Sequence, residues 1–379
     1  VQAGILTAKN IIDASDAQKN TRVGTNAGNS FDGTNAEGNT LIGYDAGTAI
    51  TGGDLNTAVG SLALKANTTG TWNTAVGESA LEANTTAHKN TAIGYATLEN
   101  NTTGANNVAL GFNALNDNTT ASHNTAVGFD ALSVNTTGDT NAAFGSYALD
   151  ANTTGDQNVA VGHNALGANT TASYNTAVGE RAMLLNTTGA QNVAVGRGAL
   201  QANTTANENV AIGYVSMTAN TTGAHNVAVG HDSLKANTTG SYNIAIGRDC
   251  MQANTDGASN VAVGSNALDA CVSGNNNVAI GDFSLTNYTG NGNTAVGHDS
   301  LNACTTGSVN TAVGNESLRD NTTGASNSAF GQSALRDNTT GDNNVAMGRN
   351  ALDANTTGGQ NVAIGMQALS ENTTADGNT

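Results

Sequence analysis

The sequence predicts an all-β fold, a repetitive β-solenoid (β-roll) of about 21 coils with a 17-residue period, packed or intertwined as a parallel homotrimer. Three observations predict the solenoid. The phrase Asn-Thr-Ala-Val-Gly that opens at Asn73 restarts at Asn90, Asn107, Asn124 and Asn141, and the spacing of 17 residues holds to Asn260. A repeat this strict means one structural unit stacked on copies of itself. β-branched residues, Asn and Gly fill each unit, whereas the helix formers Glu, Lys and Gln are sparse. A helix pair also needs about 33 residues or more, while 17 residues suit one β-coil. At about 4.8 Å of strand spacing per coil, the stack would form a rod on the order of 100 Å long.

Residues 1–19 fall outside the repeat and read as a connector or incoming strand, with apolar Ile5, Leu6, Ile11 and Ile12. Residues 20–55 form two irregular units, one opening at Asn20 and one at Asn39, and suit the atypical capping repeats of a solenoid. Residues 56–377 are the regular array, and residues 378–379 begin a further repeat. One coil is short: Asn277 is followed by Asn293 after 16 residues. The missing residue is expected between Leu285 and Asn287, at the edge of a turn, because loops tolerate deletions that packed strands do not.

Within the unit that opens at Asn73, places two to four (Thr74, Ala75, Val76) alternate as a short strand. The expectation is that Thr74, Val76 and Ile93 face the interior and that Ala75 and Ala92 face outward. A small apolar residue held on an outer face would then mark close packing against sister chains, the basis for the homotrimer. The glycines at place five (Gly60, Gly77, Gly94) suit positive φ or a close backbone approach. Leu81 and Leu98 supply a second apolar rung, and Asn-Thr-Thr-Gly closes the coil with residues that turn easily. Asn67, Asn84, Asn101, Asn118 and Asn135, at place twelve, should stack as an in-register ladder. Each also heads an Asn-Thr-Thr sequon, so N-glycosylation is the rival reading of that position.

With 12 Lys and Arg against 29 Asp and Glu, the formal charge is −17. That balance excludes phosphate-backbone recognition, so nucleic acid is not an expected partner. No apolar run approaches the roughly 20 residues that span a bilayer, so membrane insertion is not expected. A chain that opens at Val1 and stops inside a repeat reads as part of a longer or processed protein.

Candidate chemistry is sparse. The six histidines occupy variable places; His163, His231 and His298 share place six but lie several coils apart, too far to share a metal within one chain. A threefold axis would bring three copies of one His together, leaving an axial ion as the metal reading. Cys250, Cys271 and Cys304 have no zinc or disulfide spacing and read as small residues in partly buried slots. No nucleophile elbow, P-loop or calcium repeat is present. The expectation is a non-enzyme with no cofactor and no catalytic or metal residue. Aromatics at variable places (Trp72, Tyr95, Phe112, Phe129, Tyr174, Tyr214 and Tyr242) are the possible surface contacts, touching a sugar or partner or filling gaps between protomers.

The phrase Asn-Val-Ala-Val-Gly-x-x-Ala-Leu, at residues 158–166 and 192–200, resembles the head repeats of trimeric autotransporter adhesins. The longer phrase at residues 56–70, which runs on through Asn-Thr-Thr-Gly, resembles repeat arrays of phage tail fibre proteins, commonly matured by a self-cleaving chaperone domain. The resemblance covers residues 39–379 and departs from the adhesins in its longer, 17-residue unit. It implies a trimeric fibre shaft in the virion, with itself, other virion tail proteins and a host surface glycan or protein as partners. The alternatives are a bacterial surface adhesin and, from the Thr rows, an extracellular self-assembling or ice-binding filament.

Overall fold

The computed structural model describes residues 17–31 and 35–379 of the 379-residue chain. The proposed incoming strand therefore lies outside the described residues, except at its end. Among the described residues the fold is all-β, with 21 parallel strands and no helix. The chain divides into two compact units, Val1–Thr188 and Gly189–Thr379. The first holds β1 (Thr21–Val23) to β10 (Thr176–Val178); the second holds β11 (Val193–Val195) to β21 (Val362–Ile364). Each unit is a β-solenoid in which every strand is three residues long and the next strand arrives one coil later.

Register follows the repeat directly. Between β4 (Thr74–Val76) and β5 (Thr91–Ile93), Thr74 pairs Thr91, Ala75 pairs Ala92 and Val76 pairs Ile93. Backbone bonds continue beyond the strands, as Gly77 N donates to the Val59 carbonyl at 2.8 Å and Leu81 N to the Thr97 carbonyl at 3.0 Å. The main chain of each coil is thus bonded to its neighbours at the corners as well as in the strands.

The facing of the strands is opposite to the sequence expectation. Ala75 and Ala92 are fully buried, whereas Val76 is half-buried and Ile93 is 38% exposed. The same pattern, with Ala inside and its neighbours outside, runs through both units. Thr74 and Val76 are therefore not core residues, and the alanine row offers no wall to a sister chain. The interior is filled instead by Ala75, Ala80 and Leu81 with two rows of asparagine. Leu98 repeats the role of Leu81 in the next coil.

The corners are also differently built. Left-handed residues fall at places seven, nine and seventeen, for example Ser79 (φ 56°), Leu81 (φ 54°) and Lys89 (φ 59°). Gly77 has φ +138°, and a Cβ there would lie 2.2 Å from the Gly94 carbonyl oxygen, so the close backbone approach alone demands glycine.

In the irregular coil that opens at Asn39, Ile50 is fully buried at place twelve, in the slot that Asn67 fills one coil later. The short coil differs from expectation too. Asn287 is exposed, and Tyr288 occupies place twelve, fully buried. The deletion accordingly falls after Thr289 rather than before Asn287: Asn277 Nδ2 reaches the Gly290 carbonyl across 13 residues instead of the usual 14. Cys271 and Cys304 flank the tyrosine at the same place in the coils before and after it.

Candidate interaction surfaces and polar clusters

Inside the coil, the two asparagine rows form one network. At place twelve, Asn84 donates to Asn67 Oδ1 at 2.8 Å, Asn101 to Asn84 at 2.9 Å, Asn118 to Asn101 at 2.8 Å and Asn135 to Asn118 at 3.2 Å. The second row lies at place one, where the Asn never varies from Asn20 to Asn378 and where the sequence reading assigned no ladder. There Asn56 Oδ1 accepts from the Asn73 backbone N–H at 3.0 Å, while Asn73 Nδ2 donates to the Ala87 carbonyl at 2.9 Å. The sequon asparagines are thus sequestered with their amides committed, which rules out a glycan on the folded array at Asn67, Asn84, Asn101, Asn118 and Asn135. The place-twelve row breaks at Cys271, where Asn254 Oδ1 is left buried without a partner.

All three cysteines are free and buried. Burial pushes the Cys250 thiol up to about 12 and Cys304 to about 11, and Cys271 is raised for the same reason. Tyr288 is likewise pushed up to about 12, chiefly by burial, and its hydroxyl donates to the Asn291 carbonyl at 2.9 Å. Neutral thiols of this kind are packing groups rather than nucleophiles.

Outside, three surfaces are distinct. The strand face carries the residues at places two and four: Val108, Leu110, Phe144, Val159 and Val161 in the first unit, each exposed by more than a third. Ile212, Ile244, Ile246, Ile280, Phe330 and Met347 do the same in the second. Single exposed hydrophobes are ordinary on a protein surface, whereas here they recur at the same two places of one sheet face.

The second surface is a ring ladder. Tyr95 stacks on Phe112 with centroids 5.1 Å apart and an interplanar angle of 13°, and Phe112 on Phe129 at 5.2 Å and 8°. Tyr147 continues it edge-on at 5.4 Å, followed by His163 at 6.1 Å. Tyr95, Phe112 and Phe129 thus spend ring faces on one another while each stays more than 40% exposed. The other predicted contacts are separate. Trp72 is exposed under Lys89, Tyr174 is exposed, Tyr242 stacks on His225 at 4.8 Å, and Tyr214 stacks on His231 at 5.3 Å.

The third is a polar cluster in the second unit that sequence spacing missed. His231, Asp232 and Asp249 bring one ligand atom each to within 4.8 Å of one another. Places six and seven of one coil meet place seven of the next, so contact comes from stacking and not from spacing along the chain. Elsewhere, Asp150 and Asp269 are held above the usual carboxylate range, first by burial, with the charges of Asp130 and Asp249 respectively adding to it. No helix among the described residues is long and apolar enough to cross a membrane.

Together these features define the class: a β-solenoid repeat protein whose interior combines Ala and Leu rows with an asparagine lattice and whose strand face turns Thr, Val and Ile outward. Compared with protein-family models and with curated proteins, the chain matches none.

Proposed function

We propose that the chain is a non-enzymatic structural shaft, a homotrimeric spacer of the phage tail fibre kind, that supports host recognition from the virion. The observation that supports it best is the exposed apolar row at places two and four, repeated in coil after coil. Three parallel copies meeting through this face would bury it, at about 25 cal/mol per Å² of apolar surface. The trimer contact is thus assigned to Val, Ile and Leu and not to the alanines, which line the interior. Host glycan or protein and other tail proteins are the proposed partners. The sequence resemblance to tail fibre arrays supports the virion setting; a bacterial surface adhesin built from the same shaft is the alternative.

A second reading draws on the same face. Outward Thr and Val rows on a regular strand array are also what an ice-binding or self-assembling filament would present. Phe144, Phe330 and Met347 interrupt the evenness that ice requires and suit burial against a second chain.

The test is solution mass. The full chain should sediment near three times 37.6 kDa, and the double substitution Val159→Asp with Val161→Asp should shift it towards one. A wild-type chain that remains single at micromolar concentration overturns the trimer; thermal hysteresis in that monomer would support the ice-binding reading.

A further inference from the structure

We infer that His231, Asp232 and Asp249 form a binding site for a divalent first-row metal ion of the zinc class. Two independent observations meet at Asp232. It belongs to the one group of three potential ligands found among the described residues, all within 4.8 Å of one another. Its side chain is also only 12% exposed, with Oδ1 buried without a hydrogen-bond partner while Oδ2 faces His231. A sequestered anionic oxygen beside a second carboxylate and an imidazole is a half-built coordination sphere.

The ligands are held in place before any ion arrives. Asp232 and Asp249 occupy equivalent corners of stacked coils, with φ of 56° and 53°. Gln252 Nε2 bridges them, 3.0 Å from Asp249 Oδ1 and 3.4 Å from Asp232 Oδ2. The His231 ring is oriented by stacking on Tyr214 at 5.3 Å and 20°. His231 Nδ1 stands 3.6 Å from Asp232 Oδ2, close to the separation of two donors that share one ion through bonds of ~2.0–2.2 Å.

Two cations now lean on the carboxylates: Lys235 Nζ at 3.1 Å from Asp232 and Arg248 Nε at 2.9 Å from Asp249. The Lys235 side chain is 44% exposed and that of Arg248 74%, so both are competitors that an ion can displace. One imidazole and two carboxylates, with open coordination positions, suit Zn²⁺, Co²⁺ or Mn²⁺ better than Ca²⁺, which prefers oxygen alone.

The experiment uses the full chain with Zn²⁺ alone, followed by calorimetry, and with Co²⁺, followed by its visible spectrum. One saturable Zn²⁺ per chain is expected, lost in His231→Ala and in Asp249→Asn and unchanged in His163→Ala. Lys235→Met should tighten binding, because it removes a competitor. Circular dichroism of each variant verifies the coil, and His231→Gln replaces His231→Ala if that variant misfolds. Absence of saturable binding, or equal binding by wild type and Asp249→Asn, would overturn the site.

Discussion

Asn73 and Asn84, at places one and twelve of one coil, both donate their side-chain amides to the Ala87 carbonyl, at 2.9 and 3.3 Å. One backbone oxygen thus ties the strand end to the Asn-Thr-Thr corner, and each asparagine also bonds the coil before it. This shared acceptor is the internal fastening of the solenoid, used where a globular protein would place a larger apolar core.

Asn84→Asp should be severely destabilising. It replaces a donor with an anionic acceptor facing both Asn67 Oδ1 and the Ala87 carbonyl, a fully buried mismatch of about 3 kcal/mol or more. The denaturant midpoint checks it, and a loss within the error of an exposed substitution such as Thr86→Ala would contradict the fastening.

Two glycines should respond very differently to alanine. Gly77→Ala drives a Cβ into the Gly94 carbonyl, a main-chain contact that cannot yield, and should prevent the local coil from stacking. Gly292, with φ +75° and open space around it, should cost only about 1–2 kcal/mol, the penalty of left-handed backbone. Comparative thermal melts measure the gap.

Val309 is a β-branched residue at φ 59° and 66% exposed. Val309→Asn should stabilise the protein by about 1 kcal/mol, since Asn tolerates this conformation and little packing is lost. A raised melting temperature is the expected reading.

The three thiols should be silent. With burial raising all three, a thiol reagent at pH 8 should label none in the native chain and all three after denaturation. Rapid native labelling would show that the cysteine coils open locally.

Asp150 gives a pH dependence of defined sign. Its carboxyl is raised above 3.8 in the fold, so between that value and its folded one the native state holds more proton than the unfolded chain. Stability should therefore fall as pH rises through this window, and Asp150→Asn should flatten that fall and raise the melting point at neutral pH. A melting curve for the variant with unchanged pH slope would refute the assignment.

Much of this was legible from residues alone. The strict spacing yields coil number and register, because identical neighbours bond best in phase, as Thr74 with Thr91. The place-twelve ladder follows from the same logic. Other features required the coil to close. The place-one Asn row was visible as an unvarying residue, yet its role became readable only once Ala87 lay beneath it. Tyr288 could not be placed from the short coil, because a missing residue can be absorbed at several corners. The His231 cluster depends on side chains meeting across coils, which spacing along the chain does not encode.

By itself, the sequence determined that short strands repeat every 17 residues and that their side chains alternate between two faces. Which face lies inside was decided only by the tertiary structure. A period of two separates Ala75 from Thr74 and Val76 but carries no sign. The sign comes from closure: the opposite wall, with its asparagines and Leu81, leaves room at the strand for an alanine methyl, and the larger Val and Ile side chains are turned outward.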